Sequence, residues 1–304
     1  TIAVGQGPGE VAVSRDGRRA YVTNEDANSV SVINLKTRRV VATLRVGTAP
    51  RGIAVSSDNR RVYVANNGGD AERLGTVSTI DAQALRVMGS TSVLASPENL
   101  AISPDGTRLW VTGNNQQPRG TVEFFEVPAL QLISGLQPPV ADPNVGADGI
   151  AVVDSLRGTR TWAMTYPSLA MVNIWDQGCV TDCRFNVLVG ANPQGIAFDI
   201  SGNRAFVANA DSDTVSVIDM ATRLVSVNIP VGGSPYGVAV GRTKAFVTNF
   251  ESDSVSVIDL ATNTVVQEIP VGDGPSGVAI SAKSGSVYVT NVLSNTVSVL
   301  KSPT

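Results

Sequence analysis

The sequence contains no histidine. That single absence removes the usual near-neutral general base and the commonest transition-metal ligand. Catalytic triads built on histidine, and histidine-based zinc or copper centres, are excluded from this chain. Cysteine is nearly absent too, with two residues, Cys179 and Cys183. Two thiols without histidine make a poor zinc site, which wants four ligands. Three residues separate them, so they either close a short disulfide after Asp176, worth about 2 kcal/mol as a local clip, or stay as free thiols. Charged residues make up only 16% and aromatics 5%. No apolar run approaches the roughly 18 residues that a membrane-spanning helix needs, so no membrane span is expected.

Basic charge is also in short supply. The 23 Lys and Arg face 26 Asp and Glu, for a net charge of −3 and a pI near 5.1. Nucleic-acid binding rests on clustered cations that displace counterions from phosphates, and this balance argues against it. Thr1, not Met, opens the sequence, with no basic and apolar leader before it, so the expectation is a processed or trimmed chain.

Glycine (29) and proline (16) are plentiful, as many short strands and tight turns require. The phrase PRGIAVS, ending at Ser56, recurs as PQGIAFD at Asp199, PYGVAVG at Gly241 and PSGVAIS at Ser281. Weaker copies end at Ser14 (PGEVAVS), Ser103 (PENLAIS) and Val153 (ADGIAVV). The shared alanines, Ala12, Ala54, Ala101, Ala151, Ala197, Ala239 and Ala279, step by 42, 47, 50, 46, 42 and 40 residues. Seven units of that length each hold four strands.

Within each unit a small-residue strand leads, followed by a turn such as Ser103–Gly106, whose Asp-Gly suits a hairpin. An aromatic-led strand comes next: YVTN at Tyr21 and Tyr288, YVAN at Tyr63, FVAN at Phe206, FVTN at Phe246. An alternating S-V-S-V-I-D strand and an outer strand ending V-G complete the unit. Slim residues in the first strand and bulk in the second fit blades converging on an axis. The sequence therefore predicts an all-β, seven-bladed β-propeller of four-stranded antiparallel blades, a single domain over residues 1–304. Repeat seven runs out after its third strand, and Ile2–Gly5 matches the missing V-x-V-G ending. The N-terminal strand is expected to pair in the last blade and close the ring, which removes two exposed sheet edges.

On these motifs the chain resembles the YVTN-repeat propellers of prokaryotic surface-layer and periplasmic proteins. Repeats three and four depart from the pattern, with WVTG at Trp110 and WAMT at Trp162. The resemblance implies an exported protein, periplasmic or on the cell surface, and implies fold more than activity.

In a propeller the turn leading into the innermost strand and the loop between strands two and three open on one face. The lead-in positions are Gly9, Arg51, Glu98, Asp148, Gln194, Tyr236 and Ser276. Either these are ordinary solvated turn residues, or Arg51, Glu98, Asp148, Gln194 and Tyr236 line a polar channel mouth that binds a ligand. The asparagines Asn24, Asn66, Asn209, Asn249 and Asn291, which end the second strands, are expected to cap their own turns. Longer loops gather in blades two to four.

No nucleophile elbow, phosphate loop or haem-attachment motif is visible. The leading expectation is a monomeric, non-catalytic binding propeller without cofactor, taking a protein, peptide or glycan on the channel face of blades two to four. The alternative is a histidine-free lactonase-like hydrolase in which Glu98 and Asp148 hold calcium. Nucleic-acid binding is a third reading, which the acidic pI disfavours.

Overall fold

A computed structural model describes residues 1–68, 75–93, 96–113, 121–136, 147–154, 160–176 and 184–301, with backbone alone at 121 and 134–136. Cys179 and Cys183 lie outside the described residues, so the disulfide expectation meets no test there. Seven four-stranded antiparallel sheets account for the strands, and the described residues contain no α-helix. In blade one the strands Pro8–Val13, Arg19–Asn24, Ser29–Asn34 and Arg39–Arg45 pair in chain order. The other innermost strands are Pro50–Val55, Pro97–Ile102, Ile150–Asp154, Pro193–Phe198, Pro235–Val240 and Pro275–Ile280. Each touches the next around a ring, and the last touches the first.

Closure falls where the repeat places it. Ile2–Ala3 pairs with Thr296–Leu300, Ile2 opposite Val297 and Ala3 opposite Thr296. The amide of Val4 donates to the carbonyl of Asn295 at 3.1 Å.

Second strands carry the core, because they are covered on both faces by neighbouring blades: Arg19–Asn24 is buried at every residue but its first. Outer strands such as Arg39–Arg45 alternate between exposed and half-buried residues. The small first strand and bulky second strand meet as a repeated pair across the sheet. Ala12 faces Tyr21, Ala54 faces Tyr63, Ala101 faces Trp110, Ala197 faces Phe206, Ala239 faces Phe246 and Ala279 faces Tyr288.

Blade four corrects the sequence alignment by one residue. Its shared alanine, Ala151, pairs with Ala163 and not with Trp162. The stretch equivalent to Y-V-T-N is therefore Ala163–Tyr166, with Thr165 in the threonine place. A slip of one residue turns a side chain to the other face of the sheet. Trp162 consequently stacks on Trp175 at 5.8 Å and 11° and packs against Trp110 of blade three at 5.9 Å.

The asparagines are architectural, but not as turn caps. The Asn24 amide donates to the hydroxyls of Ser29 and Ser31, both at 3.0 Å, in the third strand. Asn209, Asn249 and Asn291 repeat this on a Thr or Ser pair. Beside each lies the V-G glycine of the preceding outer strand, and a Cβ on Gly5 would sit 2.6 Å from the Asn24 side chain. The amide thus fills the space that glycine leaves between two blades. Asn24→Ala strips two hydrogen bonds from a fully buried site and should cost about 2 kcal/mol. A thermal melt of that variant superimposing on the parent would contradict the assignment.

Candidate functional site

Six of the seven blades begin with a bulge, a register shift between the proline and the first paired apolar residue, as between Pro50 and Ile53 or between Pro97 and Leu100. The lead-in residue sits on that bulge. An extra residue bends the strand and re-aims its side chain, here toward the axis. All seven lead-in residues line one cavity of about 580 Å³ at the channel mouth, together with Glu25, Asp26, Phe250 and Val292 from loops between second and third strands. Arg51, Glu98, Asp148, Gln194 and Tyr236 are therefore brought together from five blades.

Threonine holds several of these residues in place. The Thr23 hydroxyl accepts from the Glu10 amide at 2.9 Å and donates to the carbonyl of Arg51 in the next blade at 2.8 Å. Thr112 joins the Asn99 amide to the Asp148 carbonyl (3.2 and 2.9 Å), and Thr165 joins the Gly149 amide to the Gln194 carbonyl (2.8 and 2.7 Å). The threonine of Y-V-T-N thus rivets one blade's lead-in turn to the next. Close packing also explains the glycine of P-x-G: a Cβ on Gly195 would lie 2.6 Å from the Tyr236 carbonyl, and one on Gly237 would lie 2.4 Å from the Ser276 carbonyl.

Glu10 is the residue that the repeat pattern missed. It stands where five of the other six repeats have that glycine and blade three has Asn99, and the P-G-E of blade one is the signal that could have found it. It is half-buried in the cavity wall. Burial raises its carboxyl to about 7, helped by the negative charge of Asp148 across the channel. Burial likewise raises Asp148 to about 6, with Glu98 adding to the rise and Arg51 opposing it. Burial, then the charges of Asp148 and Glu10, push the Tyr236 phenol up. Two carboxyls raised by burial share one cavity with a guanidinium, which makes this cavity the candidate site.

Arg51 is the cation of the mouth. Its Nε donates to Glu25 Oε1 at 3.0 Å and its Nη1 to Glu98 Oε2. Burial works against its charge, but Glu98 and Glu25 together hold its pKa above the usual value. Glu98 Oε1 accepts from Asn67 at 2.9 Å. Both oxygens of Glu98 are thus engaged, and its partner is a guanidinium. Calcium needs six to eight oxygen ligands, and among the described residues no three acidic or cysteine side chains gather to hold a metal. The Glu98 and Asp148 pair does not make the shell that calcium requires.

The raised carboxyl of Glu10 has a consequence for folding. A carboxyl that binds its proton more tightly in the folded state adds stability below its unfolded pKa, and that stability is lost as pH rises toward the folded one. The window here runs from 4.5 to about 7. Glu10→Gln should match the parent near pH 5 and exceed it by about 1–3 kcal/mol at pH 8. Thermal melts of both proteins at the two pH values check the sign, and a variant less stable at pH 8 would refute it.

The family model described as "Lactonase, 7-bladed beta-propeller" matches residues 1–134, the part of the chain that carries Glu10, Arg51 and Glu98. No curated protein sequence matches the chain. Among solved structures, hydrazine synthase from Kuenenia stuttgartiensis is similar in fold, with a TM-score of 0.82 and 20% identity over 97% of this chain and 96% of that one. A functionally unknown protein from Desulfotomaculum acetoxidans has a TM-score of 0.76 and 18% identity over 94% and 92% of the two chains. At such identities the likeness extends to fold alone. No helix among the described residues is long and apolar enough to cross a membrane. The match to the lactonase model overturns the expectation of a non-catalytic binding propeller. That expectation leaned on the family resemblance and on the lack of a visible catalytic motif.

Proposed function

We propose that the protein is a lactonase-like hydrolase that opens a cyclic ester at the channel mouth. The observation that carries this reading is the Glu10 and Asp148 pair, whose carboxyls titrate near 7 and near 6 in one cavity. Between those values Asp148 is largely ionised and Glu10 largely protonated, which divides the roles of base and acid. The lactonase match over residues 1–134 supports the substrate class.

In the reaction Asp148 takes a proton from water as the water oxygen attacks the ester carbonyl carbon. The carbonyl oxygen gains negative charge, and Arg51 faces it with the N–H groups of Nη2, because its two ion pairs occupy Nε and Nη1. The ring C–O bond then breaks, and Glu10 gives its proton to the departing alkoxide. The product is an open hydroxy acid, and the proton on Asp148 returns through solvent to Glu10. No step passes through a metal, so a chelator should leave the rate unchanged, and loss of activity in EDTA restored by calcium would overturn this mechanism. The test of the function is a pH-stat assay on γ- and δ-lactones. Acid release above the rate of a Glu10→Gln, Asp148→Asn double variant supports it, and equal rates refute it.

The finer kinship with YVTN-repeat proteins, and with it a place in the periplasm or at the cell surface, belongs to the same proposal. Its support is the repeated Y-V-T-N strand. Fractionation of the producing cells checks the location, and recovery in the cytoplasm alone would contradict it.

A further inference from the structure

The charge of the channel mouth carries an inference about substrate class that rests on the hydrolase reading. Five carboxyl groups among the described lining residues, Glu10, Glu25, Asp26, Glu98 and Asp148, face one guanidinium, Arg51. That guanidinium is already shared between Glu25 and Glu98, so the three together carry net negative charge. It is a positioned donor without a positive field around it. A second observation points to what is missing. The Asp148 carboxylate faces the cavity and accepts no hydrogen bond from the described residues. Half-buried in the wall and without a protein donor, that acceptor is open to a ligand that brings N–H or O–H.

We propose that the mouth selects a cyclic ester that bears an ammonium group, and rejects one that bears a carboxylate or phosphate. A cleft lined by one sign of charge concentrates ligands of the other sign and repels its own. Tyr236 and Phe250 line the same cavity, and an aromatic face adds attraction for a cation within reach. Ammonium beside the reacting carbonyl also offsets the negative surround when the oxyanion forms. Hydrolysis then turns the ester into a carboxylate inside an acidic mouth, and repulsion helps the product leave. A bound cation favours an ionised carboxyl, so its binding should release the remaining proton of Asp148, the proposed base, near pH 6.5.

The experiment uses the full chain and two ligand series, at pH 6.5 and low salt. Calorimetry measures binding of three lactams, which resist hydrolysis: pyrrolidinone, its α-amino derivative and its γ-carboxylate derivative. A pH-stat measures kcat/KM for the three matching lactones. The expected order is amino over neutral over carboxylate, with roughly a 100-fold span that shrinks several-fold in high salt, and with proton release on binding of the amino lactam. Asp26→Asn, which removes one mouth charge, should narrow the span. A carboxylate preference, no charge order, or no binding of any lactam overturns the inference. Charge-ordered lactam binding without hydrolysis of any lactone sinks the hydrolase reading and leaves the charge preference standing.

Discussion

Asp148→Asn is expected to lower kcat for lactone hydrolysis by about 10²–10⁴-fold, the usual contribution of a positioned general base, while KM changes little. The corresponding barrier is about 3–5 kcal/mol. Asparagine keeps the shape and loses the proton acceptor, and the riveted backbone keeps it in place, since Thr112 bonds the carbonyl of residue 148 and not its side chain. The pH profile sharpens the assignment. The parent should show a narrow bell, with limbs set by carboxyls titrating near 6 and near 7. These limbs belong to the coupled pair. Asp148→Asn should abolish the acidic limb, and Glu10→Gln should abolish the alkaline one. A general loss of folding would mimic the rate loss, but it predicts the opposite effect on stability. Because Asp148 is raised to about 6, its ionised form costs folding free energy above that pH. Asp148→Asn should therefore melt no lower than the parent at pH 8. Activity within threefold of the parent, in a variant of equal stability, would remove Asp148 from the mechanism.

Much of this site was legible in the sequence, because a propeller solves the same backbone problem seven times. Repetition placed the lead-in positions, and the geometry of blades predicted that Arg51, Glu98, Asp148, Gln194 and Tyr236 converge. They do, in one cavity. Repetition also hid what departs from it. Glu10 reads as a weak copy of glycine, and only the folded chain shows its side chain in the cavity wall. Its coupling to Asp148 could not be read from spacing, since the two lie three blades apart in the chain and meet only in the shared cavity. The one-residue slip in blade four has a similar origin. An aromatic marks the second strand in six blades, so Trp162 attracts the alignment, while the pairing of Ala151 with Ala163 sets the register. The threonine rivets were written in every Y-V-T-N, but the motif marks a strand first, and the hydroxyl's partner lies in another blade. The binding-only expectation failed for a different reason. It leaned on the family resemblance and on the lack of a recognisable motif, and a carboxyl raised by desolvation carries no motif.

Deleting residues 1–5 should cost about 3–5 kcal/mol, from burial of two aliphatic side chains and the lost backbone hydrogen bonds. Ile2 is only 8% exposed, and it packs in a cluster that runs from Tyr288 and Val297 in blade seven to Val11, Val22 and Ile33 in blade one, with Val4 at its margin. The short strand therefore ties two blades together, the last by strand pairing and the first by its own peptide link and the shared apolar cluster. Gly5 adds to the seam, since its missing Cβ makes room for Asn24. For a chain of 304 residues the loss corresponds to about 5–8 °C in melting temperature. Truncation also uncovers the edge of Thr296–Leu300, and an unpaired strand edge invites pairing with a second copy. The shortened protein should accordingly show concentration-dependent association. Ile2→Asp separates the two effects, because it keeps the backbone pairing at the edge and removes the apolar anchor. It should lose about 2–3 kcal/mol and associate no more than the parent does. Truncation with an unchanged melting temperature would mean that the contacts between the innermost strands Pro8–Val13 and Pro275–Ile280 hold the ring shut without the terminal strand.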